Sequence, residues 1–408
     1  MDADTELDCR GMICPLPVIR LANHLPDLPV GATLAVVADD PAARPDIAAW
    51  CRMRGQEYLG EDTADDGVPR FVVKRLRDRP GTEHTWLLDP PHAAAFPGDV
   101  RTVAIDGPDA RAALESADLV VAGTHTEVEW TKRPGTTYLQ TWHGTPLKRI
   151  HHDVLLAPPG RLDYLDRDVA RWDVLLSPNP ASTPRLRKAF GFDGPVWETG
   201  YPRNDRLVGP LAGATRTAVR RELGLADDER VVLYAPTWRD DEKYDQSVRD
   251  VPMHLHLGAL AARLDASGTR HRVLARVHNL MTDRSHAEHA PGVVDVSLYR
   301  DVRELYLAAD VLVTDYSSVM FDFALTGRPI VFYAYDLDRF RDEIRGFYFD
   351  LLPEAPGPVV RHEDELVEAL LHHEPALWAE RYAAFRARYG CLEDGHATDR
   401  VLDRLGLG

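Results

Sequence analysis

The sequence predicts an α/β protein in which a small two-layer α/β sandwich is followed by two Rossmann-like domains, and three observations lead there. Residues 1–76 alternate short strand and helix patterns within the length of one small domain. From residue 85 onward, short apolar and β-branched runs alternate with amphipathic helices, the pattern of parallel sheets covered on both faces. Polar clusters recur just beyond those runs, where open α/β sheets bind their ligands.

In the first domain, residues 6–10 read as a strand and 15–25 as a helix whose prolines fall in the first turn, where no N–H is missed. A strand follows at 33–38, a second helix at 46–54 closed by Gly55, and a terminal hairpin from 58–60 and 71–75. The chemistry lies in Cys14-Pro15-Leu16-Pro17. A cysteine just ahead of a helix feels the positive end of its dipole and its unpaired amides, which favour the thiolate. An exposed, nucleophilic Cys14 is therefore expected, although a cysteine taken at random is more often a small buried filler. That filler reading is the one adopted for Cys9 and Cys51.

The stretch LDCRGMICPLPVIRL, with ADDPAARPDIAAWCRMRGQEY after it, closely resembles the TusA-like sulfur carriers. The resemblance covers nearly all of residues 1–76, and its Cys-Pro-x-Pro motif is specific. It implies a persulfide role for Cys14 and a sulfurtransferase partner. Residues 77–84 are polar, broken by Pro80-Gly81, and read as a linker.

The second unit opens with strands at 85–88 and 102–105, a helix at 109–116, and strands at 118–122 and 137–141. Strands at 174–177 and 196–199, with a helix at 184–190 between them, complete one Rossmann-like half, residues 85–215. The other half, residues 216–408, begins with a charged helix at 216–223. Strands follow at 231–234, 272–276, 293–295, 311–313 and 330–333, with a helix at 302–308. Two such sheets facing each other across a cleft form the GT-B arrangement.

Five clusters fall at strand ends: Trp142-His143-Gly144-Thr145-Pro146-Leu147-Lys148, Gly200 to Asp205, Pro236-Thr237-Trp238-Arg239, Arg276-Val277-His278-Asn279, and Asp315 to Ser318. Each has a dull explanation alone, a loop histidine or a solvated charge. Five at equivalent ends of parallel strands point to one crevice that holds phosphate. In the last cluster, Val311 to Val313 runs straight into polar residues and then a helix over 319–325, with Gly327 beyond it. Ser317 or Ser318 is expected to cap that helix, and its free first-turn amides to receive a diphosphate.

Composition narrows the function. A formal net charge of −17, with no concentrated basic patch, argues against a nucleic-acid partner, because phosphates are repelled. No apolar run is long enough to cross a bilayer, and the N-terminus, MDADTELD, is acidic, so a cytoplasmic protein is expected. Peripheral attachment at the inner membrane face is a further expectation, though no basic amphipathic segment supports it. The four cysteines lack zinc spacing and are expected to be reduced thiols. His151-His152-Asp153 suggests ligands, but adjacent residues face apart on a regular element, so it reads as a solvated loop. No metal and no cofactor is expected.

WHGTPLK, GYPRND, LYAPTWRD, RVH and DVRELYLAADVLVTDYSSVMFDFALTGRPIVFYAYD are similar to the CDP-glycerol:poly(glycerophosphate) glycerophosphotransferase family. The match runs from about Tyr138 to Asp394-Gly395-His396-Ala397, and the motifs are specific as a set. The resemblance implies a GT-B fold, a CDP-glycerol or CDP-ribitol donor and CMP as product. The acceptor it implies is a polyol phosphate or a lipid-linked glycan, met by residues 85–215, with the donor on residues 216–408. It also implies two site histidines, His143 as the base and His278 facing it. Arg276, Arg239, Thr237, Pro236, Ser317 and Ser318 are expected on the donor phosphates, with Gly144, Thr145, Lys148, Arg203 and Asn204 lining the site. Asp315 is expected to orient a histidine or a donor hydroxyl, and Asp322 either to do likewise or to be an exposed helix carboxylate. Two other readings stay open: a sulfur-relay protein whose nucleotide-binding module no longer turns over, and a nucleotide-sugar glycosyltransferase. Between 85 and 138 no family motif is recognised.

Overall fold

The computed structural model describes residues 3–76, 84–88, 101–155, 157, 159–237, 239, 254–277 and 290–407. The first domain contains β1 (Thr5–Asp8), α1 (Leu16–His24), β2 (Thr33–Val37), α2 (Ala43–Arg54), β3 (Glu57–Thr63) and β4 (Pro69–Lys74). They form one four-stranded sheet of order β1-β2-β4-β3, parallel between β1 and β2 and antiparallel elsewhere. Leu34, Val36, Phe71 and Val73 pack against Leu21 and Ile47 of the two helices. α2 begins ahead of the expected position because Asp40 accepts from the Ala42 N–H at 2.9 Å and its carbonyl accepts from Ala43, an Asx-type start. β3 extends past the expected strand with no buried residue on either face, so no apolar alternation announced its length.

Cys14 corrects the expectation of an exposed thiolate. It is 3% exposed, and its N–H donates to the Asp40 carboxylate. Burial first, then the carboxylates of Asp46 and Asp40, push the thiol well above its ordinary value. Desolvation and two negative neighbours outweigh the dipole of a nine-residue helix. Arg206, from the second unit, sets its positive charge beside Cys14 and Asp46, and Arg303 does the same for Asp46, so this face of the small domain lies against that unit.

In the second unit, β7 (Leu119–Ala122), β8 (Thr137–Gln140), β9 (Val174–Ser177) and β10 (Val196–Glu198) form a parallel sheet of order β10-β9-β8-β7. β5 (Trp86–Leu88) and β6 (Thr102–Ala104) pair in parallel as a separate ribbon. The third sheet joins β11 (Arg230–Tyr234), β12 (His271–Ala275), β13 (Val293–Asp295), β14 (Val311–Thr314), β15 (Ile330–Tyr333) and β16 (Val359–Val360). Its order, β13-β12-β11-β14-β15-β16, is parallel throughout and reverses direction between β11 and β14. That reversal is the topological switch point, where such sheets open a crevice. Every residue of β14 and β15 is buried, as expected of central strands covered on both faces.

The helices are α3 (Ala110–Ser116), α4 (Arg161–Val169), α5 (Thr183–Phe190), α6 (Ala212–Glu222), α7 (Leu257–Asp265), α8 (Val302–Ala308), α9 (Val319–Ala324), α10 (Glu363–Leu371), α11 (Pro375–Tyr389) and α12 (Ala397–Arg404). The last of them crosses back. Val401 of α12 shares a core with Leu139, Val174 and Leu176 of β8 and β9, and the first amides of α12 donate to the Asp205 carboxylate at 2.9 and 2.8 Å.

Candidate functional site

The loops that leave the switch point are tied together by one carboxylate. Asp315, at the end of β14 and buried, accepts the Thr237 and Tyr316 N–H groups at 2.7 and 2.6 Å through Oδ1 and Arg239 Nη1 at 2.8 Å through Oδ2. It holds the turn after β11 rather than a donor hydroxyl. Arg239 corrects another expectation, that of a phosphate ligand. It is 3% exposed, forms a two-pronged pair with Asp336 at 2.8 and 2.9 Å, donates to the Thr237 carbonyl, and lies over Tyr316, Tyr335 and Phe340. A planar guanidinium with its donors so engaged is a structural pin. Thr237 Oγ1, by contrast, is buried with no hydrogen-bond partner among the described residues.

Ser318 stands at the N-cap of α9, but no serine side chain caps the helix, contrary to expectation. Its hydroxyl meets the other half instead. A Cβ added to Gly144 would lie 2.6 Å from Ser318 Oγ and 2.9 Å from Ser318 Cβ, so glycine is what lets the loop after β8 touch the start of α9.

That loop also presents His143. Trp142 adopts a left-handed φ of 55°, uncommon outside glycine, with its N–H donating to Gln140 Oε1 at 2.8 Å. The chain turns sharply and delivers the His143 ring to the cleft. His143 Nδ1 lies 2.8 Å from the Gly123 carbonyl. A carbonyl can only accept, so Nδ1 carries the proton and Nε2 keeps its lone pair. Solvent reaches the ring through the cleft, yet protein surrounds it on most sides. That desolvation leads the causes that push its pKa down to about 4, helped by the Arg203 and Lys148 charges and opposed by the Gly123 hydrogen bond.

Arg203 and Asn204 converge on Asp322. Arg203 reaches its two oxygens at 3.1 and 3.3 Å while stacking 3.8 Å over Tyr201, and Asn204 Nδ2 donates to Asp322 at 3.0 Å and to Glu393 at 3.1 Å. Asp322 is thus buried and paired, not an exposed helix carboxylate. Glu393, which the sequence reading passed over one residue ahead of a quoted motif, is driven up to about 7 by burial and by the nearby Asp322. Its partial neutrality lets two acids share this corner. Arg276 spends one arm on the Val296 and Tyr299 carbonyls. His278 lies outside the described residues.

His143, Gly144, Thr145 and Lys148 of one half and Tyr316 and Ser318 of the other line a single cleft of about 730 Å³. Asp315, Arg239 and Asp322 stand behind that lining as supports. His125 and His151 also reach it, and only His151 had drawn notice. The solvated loop expected at 151–153 is corrected: His151 is buried, and both histidines turn toward Asp166 while Asp153 pairs with Lys188. No helix among the described residues is long and apolar enough to cross a membrane.

The family model of the CDP-Glycerol:Poly(glycerophosphate) glycerophosphotransferases matches residues 60–407, and that of sulfurtransferase TusA matches residues 5–75. A teichoic acid glycerol-phosphate transferase of Staphylococcus aureus is 41% identical over 87% of this chain and 84% of its own. A teichoic acid poly(glycerol phosphate) polymerase of Bacillus subtilis is 38% identical over 68% of this chain, which spans only 38% of that relative. The structure of the wall teichoic acid polymerase TagF, in a histidine-to-asparagine variant soaked with CDPG, superposes with a TM-score of 0.70 at 34% identity, covering 80% of this chain and 82% of that one.

Proposed function

Since the chain belongs to the CDP-glycerol:poly(glycerophosphate) glycerophosphotransferase family, we propose that it transfers glycerol phosphate from CDP-glycerol to a hydroxyl of a teichoic-acid-type acceptor and releases CMP. The acceptor oxygen attacks the phosphorus that bears glycerol, its proton passes to His143 Nε2, and the bond to CMP breaks with the electron pair leaving on the CMP phosphate. The single observation that carries this reading is the approach of Gly144 to Ser318, which sets a neutral imidazole base and the switch-point loops on one cleft.

In this reading Lys148, Thr237, Ser317, Ser318 and the other arm of Arg276 meet the donor phosphates, with Pro236 and Thr145 shaping the walls. His278 is the second histidine of the site by its match to the family's motif. Arg203, Asn204, Asp315 and Asp322 act as positioning residues. Residues 85–215 serve the acceptor and 216–408 the donor, with 77–84 as linker. Glycerol is favoured over ribitol because the 41%-identical relative is named for glycerol phosphate. The protein works in the cytoplasm at the inner membrane face, where a lipid-linked acceptor would be met. The N-terminal TusA-like module, residues 1–76, is a sulfur carrier whose Cys14 a sulfurtransferase can load only once the face beside Arg206 opens, because the thiol is buried there.

CMP release from CDP-glycerol tests the transferase. His143→Ala is expected to lower turnover by about 10²–10⁴-fold, whereas full activity in that variant removes the base. CDP-ribitol or a nucleotide sugar turned over faster than CDP-glycerol would reassign the donor.

A further inference from the structure

Two adjacent histidines on a regular strand or helix point apart; here they do not. His151 takes a left-handed φ of 49° at the start of a short turn, His151–Asp153. The turn swings both rings to one side, with centroids 4.5 Å apart and planes at 73°. Both face the same oxygen of Asp166 on α4. His152 Nε2 lies 2.8 Å and His151 Nε2 3.6 Å from Asp166 Oδ1, and one ligand atom from each of the three residues falls within 4.8 Å of the others.

The His151 side chain is 1% exposed; among the described residues neither ring nitrogen makes a well-formed hydrogen bond, and only the Ala189 backbone and the Asp166 carboxylate approach it. A buried imidazole whose Nε2 meets its carboxylate only at 3.6 Å leaves a polar group short of a full partner, at about 1–3 kcal/mol, and an ion between the two would complete it. Around it, His125, Trp142 and Phe190 make a ring-lined wall, the dry outer layer that metal sites use.

We infer that His151, His152 and Asp166 bind one divalent cation of the zinc class, at the acceptor-side wall of the cleft. Bonds of about 2.0–2.2 Å in a tetrahedron put ligand atoms about 3.3–3.6 Å apart; the 3.6 Å from His151 Nε2 to Asp166 Oδ1 matches, while the 2.8 Å hydrogen bond from His152 to Asp166 would open to admit the ion. Two imidazoles and one carboxylate suit zinc, cobalt or nickel; magnesium prefers an all-oxygen shell. Three protein ligands leave a fourth position for water or a substrate oxygen. The ion fastens the turn at 151–153 to α4, and so shapes the wall that faces the acceptor. The inference is independent of the identity of the donor.

The test uses the full chain without an affinity tag, stripped with chelator and dialysed against Zn²⁺, Co²⁺ or Mg²⁺. One equivalent of Zn²⁺ is expected to bind, Co²⁺ to give the visible bands of four-coordinate nitrogen and oxygen ligation, and Mg²⁺ not to compete. Asp166→Asn and His152→Gln, both at half-exposed positions that the fold tolerates, are expected to weaken Zn²⁺ at least about tenfold and to abolish the cobalt bands. Failure to take up a stoichiometric ion, or uptake unchanged in both variants, overturns the assignment.

Discussion

His143 sets the pH behaviour expected of the chemistry. Its pKa, pushed down to about 4 by burial and by neighbouring cations, keeps the free enzyme's base neutral above about pH 5, so kcat/KM should lack the acid limb near 6.5 that an unperturbed histidine produces. A bound diphosphate brings negative charge and favours the imidazolium, so the acid limb of kcat should lie higher than that of kcat/KM. Two coincident limbs near 6.5 would refute the desolvated base. Arg239 makes the opposite point. Arg239→Met leaves Asp315 and Asp336 without their cation, and about 3–5 kcal/mol of stability should be lost; thermal denaturation checks it, and a variant of normal stability with only a raised KM would restore the phosphate role. The sequence showed His143 and Arg239 alike as polar residues past strand ends. It could not show that one faces a carboxylate 97 positions away and the other a backbone carbonyl. His125 stayed hidden because nothing in its immediate neighbours marks it, and Glu393, although beside a quoted motif, because its partners Tyr201 and Asn204 are about 190 positions away.

Among elements, the switch point between β11 and β14 was legible because buried parallel strands read as unbroken apolar runs and the polar turns follow at once. Partner choice was not legible: the serines ahead of α9 fit a capping pattern, but Ser318 meets a glycine from the other half. That meeting predicts a linked pair of effects. Gly144→Ala should force the two loops apart and slow turnover by about tenfold or more, while in the background of Ser318→Gly, where the clash is gone, the same change should cost little beyond what Ser318→Gly costs alone. CMP release measured in the single and double variants decides; independent, additive losses would mean that the contact is incidental. The ribbon of β5 and β6 was expected within the main sheet, and its separation follows from pairing, which strand propensity leaves open.

At the scale of the whole molecule, the small domain presents the face holding Cys14 and Asp46 toward Arg206. Asp46→Asn removes a carboxylate that raises the thiol, and its Cys14 should react with iodoacetamide several-fold faster than the wild type, as peptide mass spectrometry would reveal; an unchanged rate would mean that burial alone controls the thiol. Cys14 was readable as a motif, not as an environment, because its acidic neighbours are distributed through the fold. The return of α12 to β8 and β9 has a different reach. While the chain is being made, the first half emerges with Leu139, Val174 and Leu176 covered on this side by Trp197 alone, and the rest of their cover arrives only once Val401 and Leu405 have left the ribosome. That sheet can nucleate early but cannot finish, so the growing polypeptide must carry a sticky hydrocarbon face through most of translation, a standing invitation to chaperones.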